Sequence, residues 1–212
     1  MYPIKRAIDH IVYAVSDLDS AVQEFEKKLG IQPIFGGYHT TQGTKNSLIN
    51  LGNECYLELL AVDSRNAKAK PPRWMGVDVL TKDRITRFAL KSNRLEADKE
   101  LLKTYNPQMG IVAKGSRDIT GESRLAWELT MPLATPEVDT IPFLIDWSSS
   151  QQHPSLYLPD MKCSLIKLYA THPNPEEIKV VYDSLNCQVP IKKHKEISLK
   201  MILGTPKGVI EL

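Results

Sequence analysis

The chain of 212 residues has few cysteines and no long apolar run. Its cysteines are Cys55, Cys163 and Cys187, and no two of them form a Cys-x-x-Cys pair. This number and spacing exclude a disulfide framework and do not suggest a thiolate zinc site. No stretch approaches ~18 consecutive apolar residues, so the sequence predicts no membrane span. Asp9 and His10 interrupt the apolar residues near the N-terminus, which excludes a signal peptide and favours a cytoplasmic protein.

An excess of charge of one sign is also missing. The 27 basic and 25 acidic residues nearly cancel and leave a net charge of +2, so no strong field would recruit nucleic acid or an acidic membrane. The sequence contains no Gly-x-Gly-x-x-Gly, phosphate-binding loop, Gly-x-Ser-x-Gly or His-Glu-x-x-His, which argues against a nucleotide cofactor. The expected partner is therefore a small-molecule ligand, without nucleic acid or membrane, and a homodimer is left open.

One arrangement, a strand followed by a helix and three more strands, occurs twice, and a shortened copy follows. In the first copy the predicted strands are 8–15, 33–37, 46–51 and 55–62. In the second copy they are 87–91, 111–114, 124–130 and 142–147, with a turn at Thr120-Gly121-Glu122. The third copy begins at Leu165 and ends in a hairpin in which Glu211 matches Glu58, without a histidine to accompany it.

Because repeats in sequence usually mean repeats in fold, the prediction is an α+β fold of repeated βαβββ modules. Two modules would pair around a cleft, and a third, abbreviated module would pack outside them. The predicted divisions are a first module at 1–63, a linker at 64–83, a second module at 84–148, a linker at 149–162 and a shortened module at 163–212.

Capping residues indicate where the first two predicted helices begin and where the first one ends. Asp17 or Asp19 is the expected N-cap of the first helix, and Gly30 ends that helix. Asn93 and Glu96 have the spacing of a capping box, which predicts the start of the second helix.

Two ionisable side chains stand in strands that are otherwise apolar. His10 shares one face of the first strand with Val12 and Ala14, and Glu58 lies in the last strand of the same copy. A buried strand rarely holds such a group unless the group is paired or binds a metal. The pair therefore predicts either two ligands in the wall of a pocket or a buried His–Glu hydrogen bond that only stabilises the fold.

These residues belong to recognisable segments, which are Asp9-His10-Ile11, Gly37-Tyr38-His39, Gly43-Thr44-Lys45-Asn46 and Tyr56-Leu57-Glu58-Leu59-Leu60. With them the chain resembles the glyoxalase-like branch of the vicinal oxygen chelate superfamily, strongly over about the first 60 residues and more weakly beyond. The resemblance implies a divalent metal held in a cup between two modules by His and Glu side chains of their first and last strands. It makes His10 and Glu58 half of such a site.

His39 is the third candidate metal ligand, and it is also a candidate for substrate contact. Two histidines and one carboxylate suit Zn, Ni, Mn or Fe and leave positions open for a substrate. The glycines around His39 predict a tight bend that directs the imidazole into the cleft. Tyr56, on the same strand face as Glu58, is a further candidate for substrate contact.

The second module lacks an obvious pair of ligands. An offset of 76 places Thr86 opposite His10, and the strand 142–147 offers Ile145 or Asp146 opposite Glu58, depending on a register that the sequence leaves open. Glu128 and Asp146 are the candidate catalytic carboxylates, with Glu128 a general base if burial raises its pKa. Arg87 is a candidate for binding an anionic substrate group.

Two functions follow from this resemblance. The first is a metal-assisted lyase, isomerase or dioxygenase acting on a small oxygenated organic molecule, which the His10, His39 and Glu58 set favours. The second is a metal-free protein of the same fold that sequesters small molecules, which Thr86 favours. Trp74, Trp127 and Trp147 are candidates for lining the cleft, although at least two of them are expected in the core.

Overall fold

The computed structural model describes residues 5–118 and 124–212. The first module comprises β1 (Ile8–Ala14), α1 (Leu18–Leu29), β2 (Ile34–His39), β3 (Thr44–Asn50) and β4 (Tyr56–Val62). The second comprises β5 (Arg84–Lys91), α2 (Leu95–Tyr105), β6 (Val112–Asp118), β7 (Arg124–Thr130) and β8 (Phe143–Asp146). The third comprises β9 (Ser164–His172), α3 (Pro175–Ser184), β10 (Ile191–Lys193), β11 (Ser198–Thr205) and β12 (Gly208–Glu211). The turn predicted at Thr120-Gly121-Glu122 lies outside the described residues.

The first two modules share one eight-stranded, nearly closed sheet. Its strand order is β2-β3-β4-β1-β5-β8-β7-β6, so each module contributes four neighbouring strands. In both modules the first strand pairs in parallel with the last, and β1 pairs with β5 in antiparallel orientation at the join. The third module forms a separate four-stranded sheet in the order β10-β9-β11-β12. The α+β fold with repeated βαβββ modules is therefore confirmed, while the predicted residue limits of the modules stay a prediction.

The first helix follows its sequence signals closely. Asp17 caps α1, because its carboxylate accepts a hydrogen bond from the Ser20 backbone N–H at 2.8 Å. Gly30 ends α1 with a left-handed φ of 77°, a conformation that glycine adopts without a Cβ penalty. The buried side of the helix packs on the sheet through Ala21, Phe25 and others of the same core cluster.

The capping box predicted for α2 is wrong. The N-cap residue is Arg94, and it makes no side-chain capping bond. Ser92 takes part instead, because its hydroxyl accepts from the Arg94 N–H at 3.0 Å and donates to the buried Asp98 carboxylate. The guanidinium of Arg6 donates two hydrogen bonds of 2.6 Å, one to each oxygen of the Asp98 carboxylate. The start of α2 is thus fixed by a long-range ion pair that local spacing did not reveal.

The third module carries no candidate chemistry in the place of Glu58. Glu211 lies at the surface of β12, where its carboxylate accepts a hydrogen bond from the Tyr169 hydroxyl at 3.0 Å. Lys200 is 3.4 Å from the same oxygen. Among the described residues, no helix has the length and apolar character needed to cross a membrane.

Candidate functional site

A small buried cavity lies between the two modules. From the first module its walls are His10, His39, Asn46, Tyr56 and Glu58. The remaining walls are Trp74, Arg117, Trp127, Leu129, Ile145 and Trp147. The enclosed space is about 20 Å³, which is room for about one water molecule. His10, His39, Tyr56 and Glu58, which the sequence proposed, are therefore brought together.

A β-bulge at Asp9 sets the direction of His10. Ile8 pairs with Leu90 and His10 with Ala89, so β1 has one extra residue at this point. Such bulges redirect side chains and occur often beside active sites. The Asp9 carboxylate accepts a hydrogen bond from the His10 Nδ1 at 2.7 Å. In the neutral imidazole this leaves a lone pair on Nε2, the nitrogen that lies 3.8 Å from Glu58 Oε2.

Asp9 also holds two groups from the segment that follows β8. Its second oxygen accepts from Trp147 Nε1 at 3.0 Å and from His153 Nε2 at 3.0 Å. The Ser155 backbone N–H donates to His153 Nδ1, which assigns the proton of a neutral His153 to Nε2. Burial by itself would raise the pKa of Asp9, but the hydrogen bonds from His10 and His153 outweigh it and lower the pKa to about 2. Asp9 is therefore an ionised, fully buried acceptor of three hydrogen bonds.

His39 stands at the end of β2, where the chain turns sharply. Its carbonyl accepts the backbone N–H of Gly43 at 2.8 Å, and Gly43 has a left-handed φ of 66° that suits glycine. The His39 Nδ1 lies 2.9 Å from the Thr44 hydroxyl. Burial lowers the pKa of His39 to about 4, despite the opposing effect of Glu58. The imidazole is therefore neutral at neutral pH.

Glu58 lies between the two histidines. In the parallel register of β1 and β4 it pairs with Val12, two residues beyond His10. Asn46 donates a hydrogen bond of 2.6 Å from Nδ2 to Glu58 Oε1, and the same Nδ2 is 3.5 Å from His39 Nε2. The distance from His39 Nε2 to Glu58 Oε1 is 4.0 Å. Acceptor atoms of three side chains thus face one small space.

The chemistry of this donor set fits a divalent metal, but the spacing is wide. Two imidazoles and a carboxylate are ligands for first-row divalent metals. In a tetrahedral site with bonds of ~2.1 Å, neighbouring ligand atoms are about 3.4 Å apart. His10 Nε2 is 3.8 Å from Glu58 Oε2 and His39 Nε2 is 4.0 Å from Glu58 Oε1, so the two distances end on different oxygens. Within the described residues no group of three His, Cys, Asp or Glu is already spaced for a metal. Metal binding would therefore require these side chains to move toward one another.

Aromatic rings form most of the remaining wall. Tyr56 stacks on His10 with ring centroids 4.8 Å apart, and the rings of Trp127 and Trp147 are 5.3 Å apart. Trp74 and Trp127 are buried members of the core as well as cavity walls. All three tryptophans therefore line the cleft, and two of them also belong to the core.

We expect Gly115→Ala to disturb this wall. A Cβ atom at Gly115 would lie 2.4 Å from Cε2 and Nε1 of Trp127, so the ring would have to move. Overpacking of this kind lowers the free energy of unfolding by about 1–3 kcal/mol, which urea denaturation measures. In a Trp127→Leu background the same change should cost less. An equal cost in both backgrounds would contradict the steric explanation.

Arg87 does not reach the cavity. It is almost fully buried, and its guanidinium donates to the backbone carbonyls of Thr86, Leu133, Thr135 and Glu137. Its hydrogen bonds therefore fasten the segment before β8 to β5. Nη1 and Nη2 of Arg87 are thus paired with backbone carbonyls and are not available to an anionic substrate group.

The two proposed catalytic carboxylates lie away from the cavity. Glu128 is 3.0 Å from Lys114 Nζ and is partly exposed, because its neighbours Trp127 and Leu129 take the inner face of β7. Asp146 lies opposite Glu128 in the β7–β8 register, so the inner position of β8 belongs to Ile145. Thr86 is fully buried but is not part of the cavity wall, and Ala89 is the residue paired with His10.

Several residues of the site were not proposed from the sequence. Asn46 stands in a segment that supports the resemblance, but no role followed from it there. Asp9 is adjacent to His10, whereas His153 lies in the segment predicted as a linker between the second and third modules. Arg117 carried no signal, since a single arginine in a mixed strand is ordinary. Only the pairing of distant strands brings these side chains to one place.

Comparison with known proteins agrees with this fold. Residues 8–185 match the family model of the glyoxalase-like domain. A solved hypothetical protein from Staphylococcus aureus is 21% identical, with 96% of this chain and 83% of that chain covered and a TM-score of 0.62. A methylmalonyl-CoA epimerase from Mycobacterium tuberculosis is 19% identical over 69% of this chain and 91% of that chain, with a TM-score of 0.40. No curated protein matches the chain.

The fold and the matched residues together define the class of protein. The chain belongs to the glyoxalase-like domain family. A Streptomyces coelicolor methylmalonyl-CoA epimerase solved with 2-nitronate-propionyl-CoA is another similar structure, 18% identical over 70% of this chain and 99% of that chain, with a TM-score of 0.43.

Proposed function

We propose that the protein is a glyoxalase-like enzyme that binds one divalent metal through His10, His39 and Glu58. Its substrate would be a small oxygenated organic molecule. The observation that carries the proposal is the convergence of two imidazole nitrogens and a carboxylate on one space, with Asp9 oriented behind His10. A carboxylate that accepts the second N–H of a histidine is a common partner of metal-binding histidines.

Each residue has a distinct task in this proposal. A bound divalent metal would supply Lewis-acid polarisation of a substrate oxygen. Asp9 keeps the proton of His10 on Nδ1, so that Nε2 faces the cavity. Asn46 occupies one oxygen of Glu58 and thereby directs the other toward His10. The tryptophans exclude water, which strengthens electrostatic interactions inside the cavity.

The alternative is a metal-free binding protein of the same fold. It is favoured by the second module, which places Ile145 in the cavity wall and Ala89 beside His10 instead of two further ligands. In this case Asn46, by donating to Glu58 and lying near His39, would satisfy the acceptors without a metal.

Metal titration distinguishes the two functions. Protein freed of metal by dialysis against chelator is titrated with Zn²⁺, Ni²⁺, Mn²⁺ and, anaerobically, Fe²⁺. We expect one metal per chain for the wild type. Glu58→Gln should lose most of the bound metal, because it removes one of three direct ligands. Substitution of a residue that only hydrogen-bonds to a ligand typically costs ~10–100-fold in metal affinity. Glu128→Gln, a matched change outside the cavity, should bind as the wild type does. Wild-type protein that takes up none of these ions would end the metalloenzyme proposal.

A further inference from the structure

Three of the seven buried polar side-chain atoms that lack a hydrogen-bond partner among the described residues belong to the wall of the cavity. Asn46 Oδ1, Trp74 Nε1 and Arg117 Nη1 are buried and have no hydrogen-bond partner among the described residues. Buried polar atoms are nearly always paired in folded proteins, so such exceptions need an explanation. Here three of them belong to side chains that line one cavity. A ligand that accepts from the two donors would complete their hydrogen bonding.

Arg117 is unusual among these three because it carries a full charge. Burial lowers the pKa of its guanidinium, and the nearby Tyr56 and Glu58 act in the opposite direction. The contrast with Arg87 is direct, since that buried guanidinium has backbone carbonyls as partners. Nη1 and Nη2 of Arg87 are therefore paired within the fold, whereas Nη1 of Arg117 has no partner among the described residues.

The space for this guanidinium is kept open by a glycine. A Cβ atom at Gly36 would lie 2.8 Å from Arg117 Nη1 and 2.4 Å from Asn46 Oδ1.

Of the residues around the cavity, only Arg117 and Trp147 are half-buried, whereas the others are buried. The partly exposed part of the cavity wall therefore lies at Arg117 and Trp147.

We propose that Arg117 binds a carboxylate group of the ligand, and that the ligand is a small 2-hydroxy or 2-oxo carboxylic acid. This inference rests on the proposed function, because the neighbouring hydroxyl or carbonyl oxygen is the group that the His10, His39 and Glu58 site would bind. A carboxylate matches the planar guanidinium fork, and the Trp74 N–H is a second donor on the same cavity. With a divalent metal bound, the ionisable walls would be net positive, which favours an anion.

The size of the cavity restricts the ligand further. A space of about 20 Å³ holds about one water, so even a small acid requires side chains to shift. Of the two half-buried wall residues, Trp147 is held by its hydrogen bond to Asp9, which leaves Arg117 as the side chain expected to shift. Acids of two to four carbons therefore fit the proposal better than large conjugates.

Matched acids and amides test the charge requirement. Glycolate and pyruvate are the anionic probes, and glycolamide and pyruvamide are their neutral counterparts, with affinity measured by calorimetry on metal-loaded protein. We expect the wild type to bind the acids more tightly than the amides. Arg117→Met should weaken acid binding about 10- to 100-fold, the value of a charge-assisted hydrogen bond, and leave amide binding and metal content unchanged. Lys114→Met removes the same charge from an exposed position of the same strand and should bind as the wild type does.

The outcomes separate the two proposals. Arg117→Met that binds the acids as the wild type does overturns the carboxylate subsite, and so does wild-type protein that binds metal but prefers neither acid to its amide. If the wild type takes up no metal and the acids still depend on Arg117, the subsite stands and the metalloenzyme proposal fails. Should Arg117→Met not fold, Arg117→Lys keeps the charge but loses the fork, and its preference for acid over amide should fall while metal content stays constant. An unchanged preference would contradict the assignment.

Discussion

Asp9→Ala is expected to lower the free energy of unfolding by about 3 kcal/mol or more. The change removes an ionised acceptor that is fully buried and leaves the donors of His10, Trp147 and His153 without a partner. Each hydrogen bond to a charged group is worth about 1.5–3 kcal/mol, and unsatisfied buried donors add their desolvation cost. For a chain of this length the midpoint of thermal unfolding should fall by roughly 10 °C.

Urea denaturation at neutral pH measures this loss. The matched control is Asp19→Ala, which removes an exposed carboxylate from the first turn of α1 and should change stability by no more than about 1 kcal/mol. Asp9→Asn should fall between the two, because an amide oxygen still accepts while the charge is gone. If Asp9→Ala were as stable as Asp19→Ala, the three hydrogen bonds of Asp9 would not stabilise the fold as proposed.

The stability of the metal-free protein is expected to fall as the pH drops from 6.5 to 4, owing to His39. Burial lowers the pKa of His39 from 6.5 to about 4, so the unfolded chain takes up a proton before the folded chain does. Protonation therefore favours unfolding in this window, by up to roughly 3 kcal/mol. The pKa of Asp9, lowered from 3.8 to about 2, adds a second loss that begins only below pH 4.

Denaturant titrations at several pH values, in the presence of chelator, give the slope. His39→Gln should flatten the pH dependence between 6.5 and 4 and keep the loss below pH 4. His194→Gln, which changes an exposed histidine, should retain the wild-type slope. A His39→Gln protein with the full wild-type slope would show that another group takes up the proton.

The parts of the fold that could be predicted are those set by local pattern. Alternation of side chains located β7 to the residue, and Asp17 and Gly30 located α1, because each of these signals acts within a few residues. The same approach failed at α2, where Arg6 and Asp98 decide the helix start although 92 positions separate them. The local pattern favours a capping box, but the distant ion pair between Arg6 and Asp98 places the helix start at Arg94 instead.

The residues of the site also divide into those that a local pattern could predict and those that depend on distant contacts. His10 and Glu58 could be proposed because an ionisable residue in an apolar strand is conspicuous, and the structure places both in the cavity wall. The register of β8 decided between Ile145 and Asp146, and register depends on pairing with β5 and β7, which sequence alone does not fix. Arg117 enters the site through strand pairing and His153 through a loop that returns to Asp9, so no local signal could have indicated them.

The antiparallel contact between β1 and β5 has a consequence for how the chain folds. All strand pairs of the first module join residues between Ile34 and Val62 or lie within β1 and β4, so this module can assemble before the second is made. Until β5 is synthesised, β1 remains an apolar strand with one unpaired side. Exposed edges of this kind template pairing with other chains. We therefore expect this edge of the nascent chain to be open to aggregation until β5 has been made.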